Sequence, residues 1–200
     1  MKNGFTIIEI TISIFVLSIA IIGIFNVLSI MVILTSDAAD RLVATYLAQE
    51  GMEIVRNIRD TNWLTMDAYP DSGYAWDDGL DCEQGCEADY SLAGSGIMHN
   101  WSGQYLKINT SGDGFYNYTS GTDTKFKRKI IITQVEDVDH LSNHIIKVTV
   151  QVSWDKRATV LNEVVPAGSP DPADPSRCDP HNCIVSEATL YNWYPASVAP

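Results

Sequence analysis

No charged residue occurs between Ile10 and Leu34. A helix on the surface of a soluble domain keeps a polar face, so that absence excludes an ordinary surface helix there. Basic residues are scarce: 13 Lys and Arg stand against 25 Asp and Glu, for a net charge of −12. This balance argues against nucleic acid as a direct partner, because phosphate-backbone binding relies on cationic side chains. It reads instead as a soluble, self-repelling surface. The chain lacks a Gly-x-Ser-x-Gly elbow and a phosphate loop, so neither common framework for catalysis is offered. Calcium needs converging oxygens, and neither Asp77, Asp78 and Asp81 nor the turn around Asp113 has the alternation of a calcium loop. No internal repeat is visible. The expectation is a protein that is not an enzyme and has no cofactor and no metal.

What the chain does have is length of apolar run. Ile10 to Leu34 exceeds the roughly 20 residues that a helix needs to cross a bilayer. It is also longer than the apolar core of a cleaved secretory signal, and Thr35-Ser36-Asp37 is a poor signal-peptidase site. Lys2 precedes the run and Asp37, Asp40 and Arg41 follow it, which fits an N-terminus held in the cytoplasm and a body outside. One carboxylate, Glu9, stands at the head of the run. A charge costs about 3 kcal/mol or more at mid-bilayer, so a plain anchor has no use for it and a partner is expected.

A single helix is predicted from Phe5 to about Asn62, with Gly23 and Asn26 as a local weakness or bend. Its second half, 35–62, turns amphipathic. Leu42, Val43, Tyr46, Leu47, Met52, Ile54, Val55 and Ile58 recur at three-to-four spacing, as a face that lies on a sheet. At about 1.5 Å per residue the helix is a rod of roughly 85 Å, too long for a domain of this size to bury. It therefore needs a membrane or other chains. Residues 63–104 read as an irregular connector, pinned by Trp76, Tyr90 and Trp101. Residues 105–200 read as an antiparallel sheet. Short strands are predicted at Tyr105–Ile108 and Phe115–Tyr118, and long ones at Phe126–Val135 and Ile145–Trp154. In Ile145–Trp154, Ile146, Val148, Val150, Val152 and Trp154 alternate with polar residues, which predicts one buried face. Glu136 to His144 is a polar hairpin loop, Ala158–Val165 a further strand, Pro166–His181 an insertion, and Cys183–Trp193 the last strand. The fold class is α+β, a long N-terminal helix packed on a C-terminal antiparallel sheet.

The cysteines form two local pairs in sequence, Cys82 with Cys86 and Cys178 with Cys183. In an exported body they are expected as disulfides, and the Cys-x3-Cys and Cys-x4-Cys spacings are looser than zinc knuckles. Local pairing is favoured, although three pairings are possible. His140 and His144 read as solvated loop residues. The basic cluster Lys125, Lys127, Arg128 and Lys129 reads as a solvated strand face or edge guard.

Together, Gly4, Phe5, Thr6 and Glu9 at the head of a long apolar helix resemble the N-terminal motif of type IV prepilins and the related pseudopilins. The motif-level likeness covers about the first 35 residues. The segment from Leu47 to Trp63 and the sheet after it look like minor pilins of the pilus-modification type. The resemblance implies a leader of residues 1–4 and a filament-core or transmembrane helix over 5–34. It implies cleavage between Gly4 and Phe5 by a prepilin peptidase, and methylation of the new α-amine of Phe5. The carboxylate of Glu9, with Thr6 beside it, would then set register against the Phe5 amine of a neighbouring subunit. Implied partners are other pilin subunits, the inner-membrane assembly machinery and, before assembly, the lipid bilayer. The implied location is a single-pass precursor in the inner membrane, then a surface filament. Alternatives are a pseudopilin of a type II secretion system, or a filament-mounted adhesin or DNA-uptake module.

Overall fold

A computed structural model of the chain describes residue 4 and residues 6–70, 73–90, 98–109, 114–135, 145–155, 178 and 182–192. The chain divides into two compact units, Met1–Asp40 and Arg41–Pro200. The class is α+β: a long N-terminal helix, apolar in its first half, and a C-terminal antiparallel sheet.

Helix α1 spans Ile7–Ala68. It passes Gly23 and Asn26 as continuous helix. It also runs past the expected end at Asn62. The residues that suggested a stop are instead satisfied by the body. Asn62 Nδ2 donates to the carbonyls of Trp76 (3.0 Å) and Asp78 (2.8 Å), and buried Trp63 donates from Nε1 to Asn192 Oδ1 at 3.2 Å. Pro70, which cannot continue a helix, follows Tyr69.

Among the described residues eight strands follow: β1 Cys82–Ala88, β2 Met98–Asn100, β3 Lys107–Ile108, β4 Tyr116–Asn117, β5 Thr122–Asp123, β6 Phe126–Gln134, β7 Ile145–Trp154 and β8 Cys183–Tyr191. Five of them make one antiparallel sheet in the order β2-β1-β6-β7-β8, and β4-β3-β5 make a small second sheet. The reading of 63–104 as irregular is therefore corrected, since two strands of the main sheet come from that stretch. Their sequence, Cys-Glu-Gln-Gly-Cys-Glu-Ala and Met-His-Asn, lacks the β-branched residues that advertise strands. Pairing with β6 makes β1 a strand. Of the three residues expected to pin the stretch, Trp76 is buried and Trp101 half-buried. Tyr90 is exposed, with its ring 4.9 Å from that of Phe115.

The β6 and β7 predictions hold nearly to the residue. Phe126 faces Trp154, Arg128 faces Val152, Ile130 faces Val150 and Ile132 faces Val148. All eight side chains are buried on one face. The second half of α1 covers that face with Ala44, Leu47, Ala48, Gly51, Met52, Val55 and Ile58, within the second unit. Small residues lead this contact. Leu42 and Tyr46, expected in the core, are 56% and 62% exposed on the outer side. Gly51 shows why the small ones win: a Cβ added there would lie 3.0 Å from both Arg128 Cδ and Val150 Cγ1.

β1 pairs with β6 through a bulge. Cys82 faces Ile132 and Cys86 faces Ile130, so β1 uses more residues than β6 over the same span. The Cys82–Cys86 disulfide closes this bulge, and Cys178–Cys183 closes the entry to β8. Both pairings are local. Gly85, inside the bulge at φ 98°, sits where any Cβ would collide with the Lys129 side chain. Ala158–Val165, the hairpin loop Glu136–His144 and the insertion Pro166–His181 apart from Cys178 lie outside the described residues.

Replacing Gly51 with Leu is expected to destabilise the body by about 2–3 kcal/mol through overpacking against Arg128 and Val150. Chemical denaturation measures this, and an unchanged midpoint would contradict the close approach.

Candidate functional site

The N-terminal head is built around Thr6. As the residue before the first helical turn, it accepts at its carbonyl from the amides of Glu9 (3.1 Å) and Ile10 (3.3 Å). Its Oγ1 accepts a longer bond from the Glu9 amide at 3.4 Å. Thr6 is thus a helix cap, a role compatible with the assembly role inferred for it. Glu9 lies in the first turn, where the helix dipole favours a negative charge. Its side chain is exposed, and among the described residues no cation lies against the carboxylate. Gly4 is exposed with open space around its Cα, whereas Phe5 lies outside the described residues.

Beyond the head, α1 is long and apolar enough to cross a membrane, and among the described residues none of its apolar window is buried. Ile7 is 84% exposed and Val32 69%. The hydroxyls along it are nevertheless satisfied within the helix. Thr11 donates to the Ile8 carbonyl, Ser13 to Glu9, Ser18 to Ile14 and Ser29 to Phe25, at 2.7–2.9 Å. Such back-bonding hides hydroxyls from an apolar medium.

In the body, the basic cluster departs from its reading. β6 is the middle strand of the sheet, so no edge needs guarding. Arg128 is fully buried. Its Nη1 donates to the Leu47 carbonyl of α1 (3.0 Å), its Nη2 to the Ala88 carbonyl of β1 (2.6 Å), and Glu50 Oε2 lies 3.3 Å from Nη1. The neighbouring lysines point to the other face, where Lys127 lies over Tyr105 (4.5 Å) and Lys129 over Trp101 (4.9 Å). A signal for this did exist. Arg128 is in phase with Phe126, Ile130 and Ile132, so period-two reading puts it inside and its two lysine neighbours outside.

A second polar knot surrounds Arg128. The Tyr118 hydroxyl donates to the Arg128 carbonyl at 3.0 Å, and the Tyr118 amide donates to buried Asp89 at 2.8 Å. Buried Glu87 accepts from the amides of Ser102 (2.5 Å) and Gly103 (3.1 Å), from Ser102 Oγ (2.8 Å) and from Gln104 Nε2 (2.7 Å). Burial pushes the Tyr118 phenol up from 10.0 to about 12; Arg128 opposes the rise, and Glu87 and Asp89 add to it. Burial and the charge of Glu50 likewise raise Tyr116. These groups are consumed by one another and tie the loops to the sheet.

His99 is exposed on β2, whereas His140, His144, His181 and Asp113 lie outside the described residues. Asp77 and Asp78 shape a turn, with the Asp78 carboxylate accepting from the Ala75 amide at 2.8 Å. Among the described residues no group of three His, Cys, Asp or Glu side chains could hold a metal. No family model, curated protein or solved structure matches this chain.

Replacing Arg128 with Met is expected to cost about 3 kcal/mol of stability, read by urea unfolding, because it leaves Glu50 and two carbonyls without their donor. A neutral outcome would show that the guanidinium is dispensable. The phenol of Tyr118 has a folded pKa above its unfolded one, so its contribution is fully present below pH 10.0 and is lost as pH rises towards about 12. Tyr118→Phe is expected to lose about 1 kcal/mol at neutral pH and to flatten the alkaline decline, measured as unfolding midpoint against pH. An identical alkaline slope in the variant would assign that decline to another group.

Proposed function

We propose that this chain is a structural subunit, of the minor kind, of a type IV pilus or a related filament. A prepilin peptidase would cut it between Gly4 and Phe5. It would wait in the membrane as a single-pass precursor with its body outside, then enter the filament through α1. The observation that supports this reading is the coincidence of two facts. Gly4, Phe5, Thr6 and Glu9 stand at the spacing that prepilins use, and Glu9, with no cation against it among the described residues, heads an uncharged apolar run of exposed side chains.

The chemistry follows from electrostatics in an apolar setting. Cleavage creates an α-amine at Phe5, which stays cationic after methylation. That amine and the Glu9 carboxylate of a neighbour attract by about 4 kcal/mol at 4 Å in a partly polarisable environment. Burying either alone costs about 3–5 kcal/mol. Correctly offset subunits are therefore selected over misaligned ones, and the pair acts as a register mark. The exposed isoleucines and leucines keep the helix in an apolar setting and pack against one another there, and a head-to-tail contact that does not close yields a helical filament.

Mass spectrometry of the protein recovered from its membrane is expected to find Phe5, methylated, at the N-terminus. A mature N-terminus elsewhere would sink the reading. Glu9→Ala is expected to cut incorporation into filaments at least tenfold while leaving the body folded. Incorporation at the wild-type level would remove the pairing argument.

A further inference from the structure

Between Ile10 and Leu34 the polar side chains are Thr11, Ser13, Ser18, Asn26 and Ser29. The four hydroxyls each donate to a carbonyl of their own helix. Asn26 differs. Its carboxamide is exposed, and among the described residues it has no hydrogen-bond partner. The group carries two donors and two acceptor sites, and it lies about 12 Å along the helix from Leu34. No water reaches that depth in a bilayer, so the amide must find its partner on protein.

Its surroundings say what kind of protein. Ile19, Ile22, Ile30 and Ile33 stand four and seven residues to either side, on the same helix face, so the amide is set in an apolar surface. Gly23, three residues before it, has nothing within 4 Å of an added Cβ, which leaves room for a second backbone to approach. A carboxamide is self-complementary: it donates and accepts through one planar group. Two copies of this helix, parallel because both enter the membrane in the same sense, can pair Asn26 with Asn26 only at equal height.

We propose that α1 forms a parallel, in-register homodimer in the membrane, fastened by an Asn26–Asn26 hydrogen bond. This rests on the reading of α1 as a membrane helix given under Proposed function. It goes beyond that reading, because the register differs. The contact of Glu9 with a neighbour's Phe5 amine needs an axial offset of four residues, about 6 Å. One pair of helices cannot make both contacts. The Asn26 dimer is thus a resting form of the precursor, dissolved when subunits take up the filament offset.

The test uses the full chain reconstituted in phosphatidylcholine and phosphatidylglycerol vesicles, with dimerisation followed by energy transfer between labelled copies. Asn26→Leu is expected to weaken the dimer about threefold to thirtyfold, and Asn26→Gln to keep it. In parallel, single cysteines at Ile33, on the Asn26 face, and at Leu28, on the opposite face, are oxidised with copper phenanthroline in the membrane. Cross-linking at Ile33→Cys that exceeds Leu28→Cys, and that falls when Asn26→Leu is added, supports the proposal. A dimer as strong in Asn26→Leu as in wild type overturns it, as do equal cross-linking on the two faces or a purely monomeric chain. A mature N-terminus other than Phe5 together with a dimer sensitive to Asn26 would sink the filament reading and leave this one standing. Failure of the chain to insert into the vesicles overturns both.

Discussion

A fully buried guanidinium holds the body in its arrangement. Arg128 sits in the middle strand and reaches in two directions, to the Leu47 carbonyl of α1 and to the Ala88 carbonyl of β1. A charge without contact with water must be paired and hydrogen-bonded, or it destabilises the fold. Its demands therefore constrain its neighbours. Glu50 supplies the counter-charge, Gly51 stays without a side chain so that the arginine stem can pass, and β1 lies close enough for its last carbonyl to be reached. The guanidinium is buried while the Glu50 side chain is 32% exposed, so the pair itself adds little stability, whereas removing one partner leaves a buried charge unanswered. The helix face that meets the sheet carries Ala44, Ala48 and Gly51 inward, with Leu42 and Tyr46 outward.

The same requirement, that polar groups away from water be satisfied, organises the other unit. The hydroxyls of the apolar run answer it by bonding back to their own helix. Among the described residues Glu9 and Asn26 find no such partner, and the functional proposals turn on them. The body pairs many of its buried polar groups internally, through Arg128, Glu87, Asp89 and Tyr118, while Arg128 Nε, Trp101 Nε1, Trp154 Nε1 and Gln151 Oε1 have no hydrogen-bond partner among the described residues. The head of the helix leaves its own to be resolved by something else. The proposed structural role would use both: a folded body and a helix whose unmet groups specify how copies meet.

Much of this was legible along the chain. Strict alternation in Ile145–Trp154 predicted β7 because one face of a half-buried strand must be apolar, and the burial follows it residue by residue. The apolar run announced itself by composition. Other parts were not readable as single segments. β1 contains Glu83, Gln84 and Gly85 between its cysteines and has little intrinsic strand preference; it is a strand because β6 offers it an edge. The helix outran its expected end because Asn62 and Trp63, poor signals for continuation, find partners far off in sequence. The solvated reading of Arg128 followed residue type, whereas phase with Phe126 and Ile130 pointed inward.

The sequence by itself determined the class, α+β with an apolar N-terminal helix, and the pairs of strands with strong periodicity. It did so because those features depend on patterns within a few turns or residues of one another. Tertiary structure decided which small residues of α1 face the sheet, that β1 and β2 join it, and that Arg128 meets the Leu47 and Ala88 carbonyls and Glu50. Each of these depends on what a distant segment offers: a free strand edge, a carbonyl at the right distance, or room where a side chain is missing. Such complementarity exists only once the segments have met, and no local pattern encodes it.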